Sequence, residues 1–283
     1  MIIKDDDKPY WLALWRVPRI GPVAFNTLLS QCEGDLPALF ALSAAGLKAF
    51  GLQASQIECI KQFKRSIGSA TFSSKLCNQV DDDVRWLESS EQHHLLLAVD
   101  ENNYPPLLLQ VAGAPPLLFV KGDKDALMFP QIAMVGSRNP TRLGKETAFE
   151  FAQYFARQGF ITTSGLALGI DSASHQGALA ADGFTVAVLA HGLDHLYPKA
   201  NQMLADKITS QGALVSEYPI GTGPRPEYFP RRNRIVSGLS LGVLIVEGAK
   251  KSGSLITARE AAQQGREVFA IPGSIHNPLA KGC

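Results

Sequence analysis

Short apolar runs alternate with helix-like segments along the second half of the chain. Six runs, five of them rich in Val, Ile, Leu and Ala, have the length of buried strands, and the segments between them carry apolar residues at helical spacing. The predicted strands cover residues 132–135, 160–164, 185–190, 212–217, 242–247 and 268–271, and the predicted helices cover 142–158, 169–179, 201–208, 232–239 and 255–264. Strands this apolar need cover on both faces, which helices provide around a parallel sheet. The pattern predicts the α/β class, with a Rossmann-like, doubly wound parallel sheet.

The first part of the chain has a different pattern. Residues 9–80 contain no convincing strand, and a turn at 17–22 with two prolines and a glycine separates two short helices. This arrangement resembles a helix-hairpin-helix, a module that in many proteins holds DNA phosphates on the N–H groups of its turn. Arg19 stands where the first glycine of the usual hairpin would be. A small helical packing module is therefore favoured over a DNA-binding hairpin.

The boundary between the two parts is predicted near the acidic run at residues 81–83. Acidic residues suit a helix N-terminus, so a helix is expected to begin there. We predict an all-helical domain over residues 1–80 and the Rossmann-like domain over residues 81–283. Residues 94–122 contain paired prolines, which fit edge or connecting segments better than central strands, and are predicted to extend the sheet.

Composition places the chain among globular proteins. Hydrophobic residues make up 46% and charged residues 19% of its 283 residues. No apolar run approaches the length of a membrane span, and the acidic start is unlike a secretory leader, so a cytoplasmic location is expected. The four cysteines form no C-x-x-C pair, which favours reduced thiols over disulfides or zinc. His191 and His195 have the spacing of zinc ligands, but they lie in a predicted loop without an evident third ligand, and no metal is expected.

Charge is unevenly distributed along the sequence. The net charge is only +1, but residues 131–283 carry 15 Lys and Arg against 11 Asp and Glu, which leaves +4 there and −3 in residues 1–130. A balanced total argues weakly against a generic polyanion binder. Any nucleic-acid surface is therefore expected in the second half.

The loop after the first parallel strand has the chemistry of an anion site. Gly136 permits a tight turn, Ser137 offers a hydroxyl and an N–H group, and Arg138 carries a planar fork that matches phosphate oxygens. Such loops lie at the carboxyl edge of the sheet, where open α/β sheets bind ligands. A plain connection whose arginine forms a surface ion pair is an equally good interpretation of this loop alone.

Two common nucleotide motifs are absent from the glycine-containing loops. Residues 136–144 place Arg and Pro where the dinucleotide motif G-x-G-x-x-G requires small residues, and residues 248–254 lack the Lys-Ser or Lys-Thr of a P-loop. Neither NAD binding nor ATP hydrolysis is supported, and no cofactor is predicted. The remaining strand-end loops supply cations, hydroxyls and N–H groups, which together suit a chain of phosphates.

A cluster of arginines follows the fourth of these strands. Three arginines near a predicted helix start oppose the helix dipole, which favours a functional role over a solvated helix start. Tyr228 and Phe229 beside the cluster are suited to stacking on bases.

Several ordered motifs resemble the DNA processing protein A family, also called DprA or Smf. They include Met134-Val-Gly-Ser-Arg138, residues 163–175 and 192–201, Phe229-Pro-Arg-Arg-Asn-Arg234 with the residues up to 240, residues 247–258, and Val268-Phe-Ala-Ile-Pro-Gly273. The resemblance covers about 81–283, and more loosely the N-terminal helices, which match the family's SAM-like domain. It implies an extended Rossmann fold that binds single-stranded DNA, forms homodimers and loads the RecA recombinase onto incoming DNA during natural transformation, without a catalytic reaction.

The predicted DNA contacts come from two sources. The resemblance carries over the loop Gly136, Ser137 and Arg138 and, less closely, Lys199, while the chemistry of the later loops adds the others. The added residues are Arg231, Arg232, Asn233, Arg234, Lys250, Lys251, Ser252 and Ser254. The family normally continues beyond the position of Cys283, so the state of its dimer and RecA surface is left open by this sequence.

Two further functions remain open at this point. A Rossmann-like nucleotide-hydrolysing enzyme would use the same phosphate cradle, with Glu247 or Asp171 as the acid or base. The domain could also serve only as a protein-assembly module. The leading hypothesis is a non-enzymatic single-strand binder that holds DNA chiefly by its phosphates.

Overall fold

The computed structural model describes residues 7–67, 69, 73–250, 252–273 and 281–283. The chain forms two compact units. One comprises Met1–Glu91 together with Pro219–Gly221, and the other comprises Gln92–Tyr218 and Thr222–Cys283.

The described residues of the first unit form six helices around an aromatic core. They are α1 (Lys8–Arg16), α2 (Pro22–Gln31), α3 (Leu36–Ala41), α4 (Ala44–Ala49), α5 (Ala54–Ser66) and α6 (Lys75–Glu88). Trp11, Phe25, Phe40 and Phe63 are almost completely buried among them. Arg19, in the turn between α1 and α2, adopts a positive φ of 64°, so an arginine occupies the backbone conformation that favours glycine.

Helix α6 passes through the predicted domain boundary. It begins at Lys75 because the hydroxyl of Ser74 accepts a hydrogen bond from the N–H of Cys77 at 3.2 Å and caps the helix. The acidic residues 81–83 therefore lie within the helix, and the expectation of a helix start there is wrong. Asp83 is buried and accepts two hydrogen bonds from Arg16, at 2.6 and 2.7 Å. Its carboxylate has a packing role that the acidic run alone does not reveal.

The second unit contains an eight-stranded sheet. Its strands are β1 (His93–Leu97), β2 (Leu117–Gly122), β3 (Gln131–Val135), β4 (Ile161–Ser164), β5 (Thr185–Val188), β6 (Gly212–Ser216), β7 (Gly242–Ile245) and β8 (Glu267–Ala270). Their order is β1-β2-β6-β5-β4-β3-β7-β8. Strands β3 to β8 are parallel, while β2 pairs antiparallel with both β1 and β6. This arrangement confirms the predicted Rossmann-like sheet and its extension by residues from 94–122.

Helices cover both faces of this sheet. They are α7 (Pro106–Leu109), α8 (Arg142–Arg157), α9 (Ile170–Leu179), α10 (Gln202–Ser210), α11 (Tyr228–Gly238) and α12 (Ser254–Gln263). Met134 of β3 packs with Ala148 of α8 and Ile170 of α9. Its neighbour Val135 belongs to a core that includes Val236 of α11 and Ala261 of α12. Because successive strand residues point to opposite faces, this alternation confirms the doubly wound architecture.

The chain reverses its direction across the sheet at β3. Strands β3, β4, β5 and β6 follow one another to one side, whereas β7 and β8 lie on the other side of β3. Helices α8 and α12, which follow β3 and β7, lie on opposite faces of the sheet, and the carboxyl ends of these two strands are the usual position of a ligand crevice in open α/β sheets. No helix in the described ranges is both long and apolar enough to cross a membrane.

A buried histidine makes the stability of this unit sensitive to acid. His175 Nδ1 lies 2.7 Å from the Thr185 hydroxyl, which itself donates to the carbonyl of Thr162 at 2.6 Å. The histidine therefore donates from Nδ1 and is neutral, because burial lowers its pKa to about 3. The unfolded chain, with a histidine pKa of about 6.5, binds more protons below that pH, so acid favours unfolding.

We expect His175→Asn to reduce this acid sensitivity. The asparagine amide keeps a donor for Thr185 but does not titrate. Between pH 8 and pH 5.5, the parent protein should lose about 1.4 kcal/mol more stability than the variant. Urea unfolding of both proteins at the two pH values measures this difference. If the free energy of unfolding changes equally with pH in both proteins, His175 is not the group that causes the acid sensitivity.

Candidate nucleic-acid interface

Glycines let the strand-end loops pack against one another at the crevice. A Cβ on Gly136 would lie 2.6 Å from the side chain of Ile170 and 2.9 Å from the carbonyl oxygen of Glu247. Gly169 has a φ of 87°, and a Cβ there would lie 2.3 Å from the carbonyl oxygen of Ser137. That carbonyl also accepts a hydrogen bond from the N–H of Ile170 at 3.1 Å. The loops after β3, β4 and β7 are thus held in direct contact.

Arg138 stands at the mouth of this crevice. Its side chain is exposed, and its Cζ lies 5.7 Å from the ring centroid of Phe229. The Phe229 ring meets the edge of Tyr197, with 5.7 Å between centroids. Tyr197 is 47% exposed, and the exposed Lys199 follows it after Pro198. The structure thereby brings Arg138, a predicted DNA contact, together with two aromatic rings. It places Lys199, another predicted contact, two residues after Tyr197.

A cleft of about 490 Å³ lies beneath this surface. Its lining includes Gly136, Arg138, Arg232, Asn233, Ser252 and Ser254. Six of the twelve residues predicted for DNA binding therefore meet in one cavity, which we call the cleft. The sequence analysis predicts no role in DNA binding for Tyr197. Its position before Pro198 and Lys199, in a strand-end loop, is the only sequence signal that points to such a role.

The arginine cluster divides into an exposed and a buried part. Arg231 is exposed, whereas Arg232 is only 5% exposed and donates from Nη1 to the carbonyl of Val188 at 2.7 Å. Its guanidinium fills the space where Gly165 lacks a side chain, since a Cβ there would lie 1.8 Å from Nη1. Burial lowers the pKa of Arg232, and the nearby Asp171 opposes this shift. Arg232 forms part of the cleft wall and is not a solvated cation.

Arg234 lies in an ion pair. Its guanidinium bonds to the carboxylate of Glu217, and both side chains are largely buried. Burial raises the pKa of Glu217, and the charge of Arg234 opposes this shift. The sequence assigned this guanidinium to DNA, but the structure commits it to a carboxylate 17 positions earlier in the chain. We therefore assign Arg234 a structural role.

The loop after β7 adds hydroxyl groups to the cleft. The hydroxyls of Ser252 and Ser254 lie 2.7 Å apart, and Ser252 also accepts from the N–H of Ser254 at 3.2 Å. Asn233 reaches this loop through a long contact of 3.4 Å to the carbonyl of Gly253. Lys250 is exposed, and Lys251 lies outside the described residues.

The two carboxylates considered for catalysis make structural bonds. Glu247 accepts hydrogen bonds from both the N–H and the hydroxyl of Thr141, the residue that caps α8. Asp171 is buried and accepts from the N–H groups of Gly165 and Ala167, each at 3.2 Å. Burial raises the pKa of Asp171, while Arg232 opposes this shift. These contacts stabilise the loops around the cleft.

Metal binding has no evident site in the described part of the chain. His191 is buried, and His195 lies 3.6 Å from Asp194. No group of three or more His, Cys, Asp or Glu side chains with the geometry of a metal site occurs among residues 7–67, 69, 73–250, 252–273 and 281–283.

The chain is similar in sequence to known proteins. The Smf protein of Escherichia coli K12 is 43% identical over 242 residues, which cover 85% of this chain and 61% of the relative. The DNA processing protein DprA of Bacillus subtilis is 45% identical over 193 residues, which cover 68% of this chain and 65% of the relative. The chain thus spans less than two thirds of the length of these two curated relatives.

Solved structures show the same fold. The X-ray structure of DNA processing protein A from Streptococcus pneumoniae has a TM-score of 0.82 and 33% identity, and the match covers all of this chain and 92% of that one. A Helicobacter pylori DNA processing protein A, whose structure concerns its single-stranded DNA binding mode, has a TM-score of 0.61 and 30% identity, covering 67% of this chain and 85% of that one. The family model for DNA recombination-mediator protein A matches residues 95–283. The chain belongs to the DNA recombination-mediator protein A family.

Proposed function

We propose that this protein binds single-stranded DNA at the cleft and along the rim formed by the neighbouring loops. The observation that carries the proposal is the exposed Arg138 at the mouth of the cleft, in the loop after β3, the strand at which the chain reverses its direction across the sheet. Lys199 and Lys250 are exposed cations on the connections that follow β5 and β7, and Arg231 is exposed in the first turn of α11, which follows β6. An extended strand contacts several such loops at once, whereas a mononucleotide reaches one or two. The single-stranded DNA binding described for the Helicobacter pylori relative supports the choice of ligand.

The proposed recognition is largely independent of sequence. Arginine and lysine side chains contact phosphates, which are the same at every nucleotide. Phe229 and Tyr197 offer ring surface to unpaired bases, and such stacking tolerates every base because each has a π face. A duplex buries those faces, so single strands are the preferred ligand.

Binding is expected to weaken steeply with salt. The four exposed cations Arg138, Lys199, Arg231 and Lys250 predict about four phosphate contacts, and hence a slope of about −3 for the logarithm of the association constant against that of the salt concentration. Fluorescence anisotropy of a labelled oligonucleotide at several salt concentrations measures this slope, with a duplex of equal length as the control. A slope near zero, or equal affinity for the duplex, would contradict the proposal.

The cellular role that we propose is recombination mediation in natural transformation, without a catalytic step. The protein would load the RecA recombinase onto incoming single strands and act as a homodimer. The family description supports recombination mediation. The exposed edge strand β8 supports the homodimer, since all four of its residues are exposed, including Val268 and Phe269. Sedimentation equilibrium tests the dimer, and RecA filament formation on DNA coated with single-strand-binding protein tests the loading.

A further inference from the structure

A second aromatic surface lies on the segment that leads into α11. The rings of Tyr218 and Tyr228 stack, with 4.4 Å between their centroids and 25° between their planes. The guanidinium of Arg225 lies over the Tyr228 ring, with Cζ 5.7 Å from its centroid. Arg225 is exposed, whereas both tyrosines are partly buried. Tyr218 and Arg225 thus both contact the Tyr228 ring, and we call these three side chains the Arg225 stack.

The Arg225 stack adjoins the cleft. Pro226 and Phe229 line the cleft, and each is the immediate sequence neighbour of a member of the stack. Adjacent Cα atoms are about 3.8 Å apart. The backbone of the Arg225 stack therefore lies at the wall of the cleft, within reach of a DNA strand that extends beyond it.

We propose that the Arg225 stack binds one base of a single strand outside the cleft, between the Tyr228 ring and the Arg225 guanidinium. This inference rests on the proposed function and adds a subsite to it. Base stacking on an aromatic ring is favourable for all four bases, and a planar guanidinium stacks on π systems in the same way. Arg225 is exposed and moves outward to admit the base.

The other contacts of the stack suit this role. Tyr218 supports one face of Tyr228, so the ring keeps its orientation when a base arrives, and little side-chain freedom is lost on binding. The exposed charged residues of this segment are Arg225, Glu227 and Arg231, with a net charge of +1. A weakly positive surface with a stacked ring fits a base and its phosphate better than it fits an acidic protein partner.

Fluorescence of 2-aminopurine, placed at successive positions of an oligonucleotide, tests the proposal directly. We expect strong quenching at the position that reaches the stack, and loss of that quenching in Tyr228→Leu. The variant should also bind at least about fivefold more weakly. Tyr154→Leu is the matched control, because Tyr154 is 59% exposed on α8, away from the loops of the rim.

A second variant separates stacking from charge and from folding. Arg225→Lys keeps the positive charge of an exposed position but removes the planar group, so quenching should fall while the salt slope stays unchanged. If Tyr228→Leu and Arg225→Lys both quench and bind like the parent protein while Arg138→Ala binds weakly, the stack is not a subsite and the proposed function stands. If Arg138→Ala also binds normally, the proposed function itself fails. Should Tyr228→Leu not fold, Arg225→Lys alone decides the outcome.

Discussion

Replacing Arg138 with Ala should weaken the binding of single-stranded DNA by about 1.5–3 kcal/mol, or roughly 10- to 150-fold. The guanidinium is exposed at the mouth of the cleft and rests on the ring of Phe229. The contact with Phe229 limits the motion of the guanidinium, so little conformational entropy is lost when Arg138 binds a phosphate. Arg138→Lys keeps the charge without the fork, and its affinity should fall between those of the parent protein and the alanine variant.

Arg157→Ala is the matched control for this experiment. Arg157 is also exposed, but it lies in the last turn of the 16-residue helix α8, whose first turn follows the Arg138 loop. The helix is therefore about 24 Å long, which places Arg157 near the opposite edge of the sheet. Anisotropy titrations at one salt concentration should show a loss for Arg138→Ala alone. An equal loss in both variants would indicate a general charge effect, and unchanged affinity for Arg138→Ala would remove the loop from the interface.

The sheet could be predicted because its determinants are local. Each parallel strand is a short apolar run, and the helix that follows it has its own periodicity, so neither depends on distant residues. The boundary that we predict after residue 80 rests on weaker signals, and the compact units divide after Glu91. The acidic run 81–83 has the composition of a helix start, but the actual cap is Ser74, and Asp83 is buried by a partner far away in the sequence, Arg16. The cap is a local contact that depends on one serine and not on the acidic composition, whereas the buried ion pair depends on a tertiary contact that local sequence does not encode.

The candidate site shows the same division between local and distant determinants. Arg138 belongs to a loop whose glycine and strand-end position are visible in the sequence. The arginine cluster is different, because successive residues of a helix point about 100° apart. Arg231 therefore faces solvent while Arg232 points into the core, where it fills the space beside Gly165. Neither that space nor the carboxylate that pairs with Arg234 could be located without the fold.

Replacing Arg234 with Met should destabilise the second unit by about 3–5 kcal/mol, because it removes the guanidinium that bonds to the buried carboxylate of Glu217. The loss of that compensating charge in a poorly solvated position costs more than the intact pair contributes to stability. The double variant, with Glu217→Met and Arg234→Met, has neither the carboxylate nor the guanidinium. It should regain most of the stability that the single variant loses. Urea unfolding of the parent protein, both single variants and the double variant measures the coupling.

DNA binding by the double variant then decides between a structural and a contacting role for Arg234. If Arg234 acts only through Glu217, the folded double variant should bind single-stranded DNA with nearly the parent affinity and the same salt slope. A contact with phosphate would instead cost affinity and reduce the magnitude of the slope by about 0.7. A double variant that is stable but binds as weakly as Arg138→Ala would return Arg234 to the interface. We expect the first result, because the guanidinium is only 17% exposed and already bonded to a carboxylate, so reaching a phosphate would require breaking a buried ion pair.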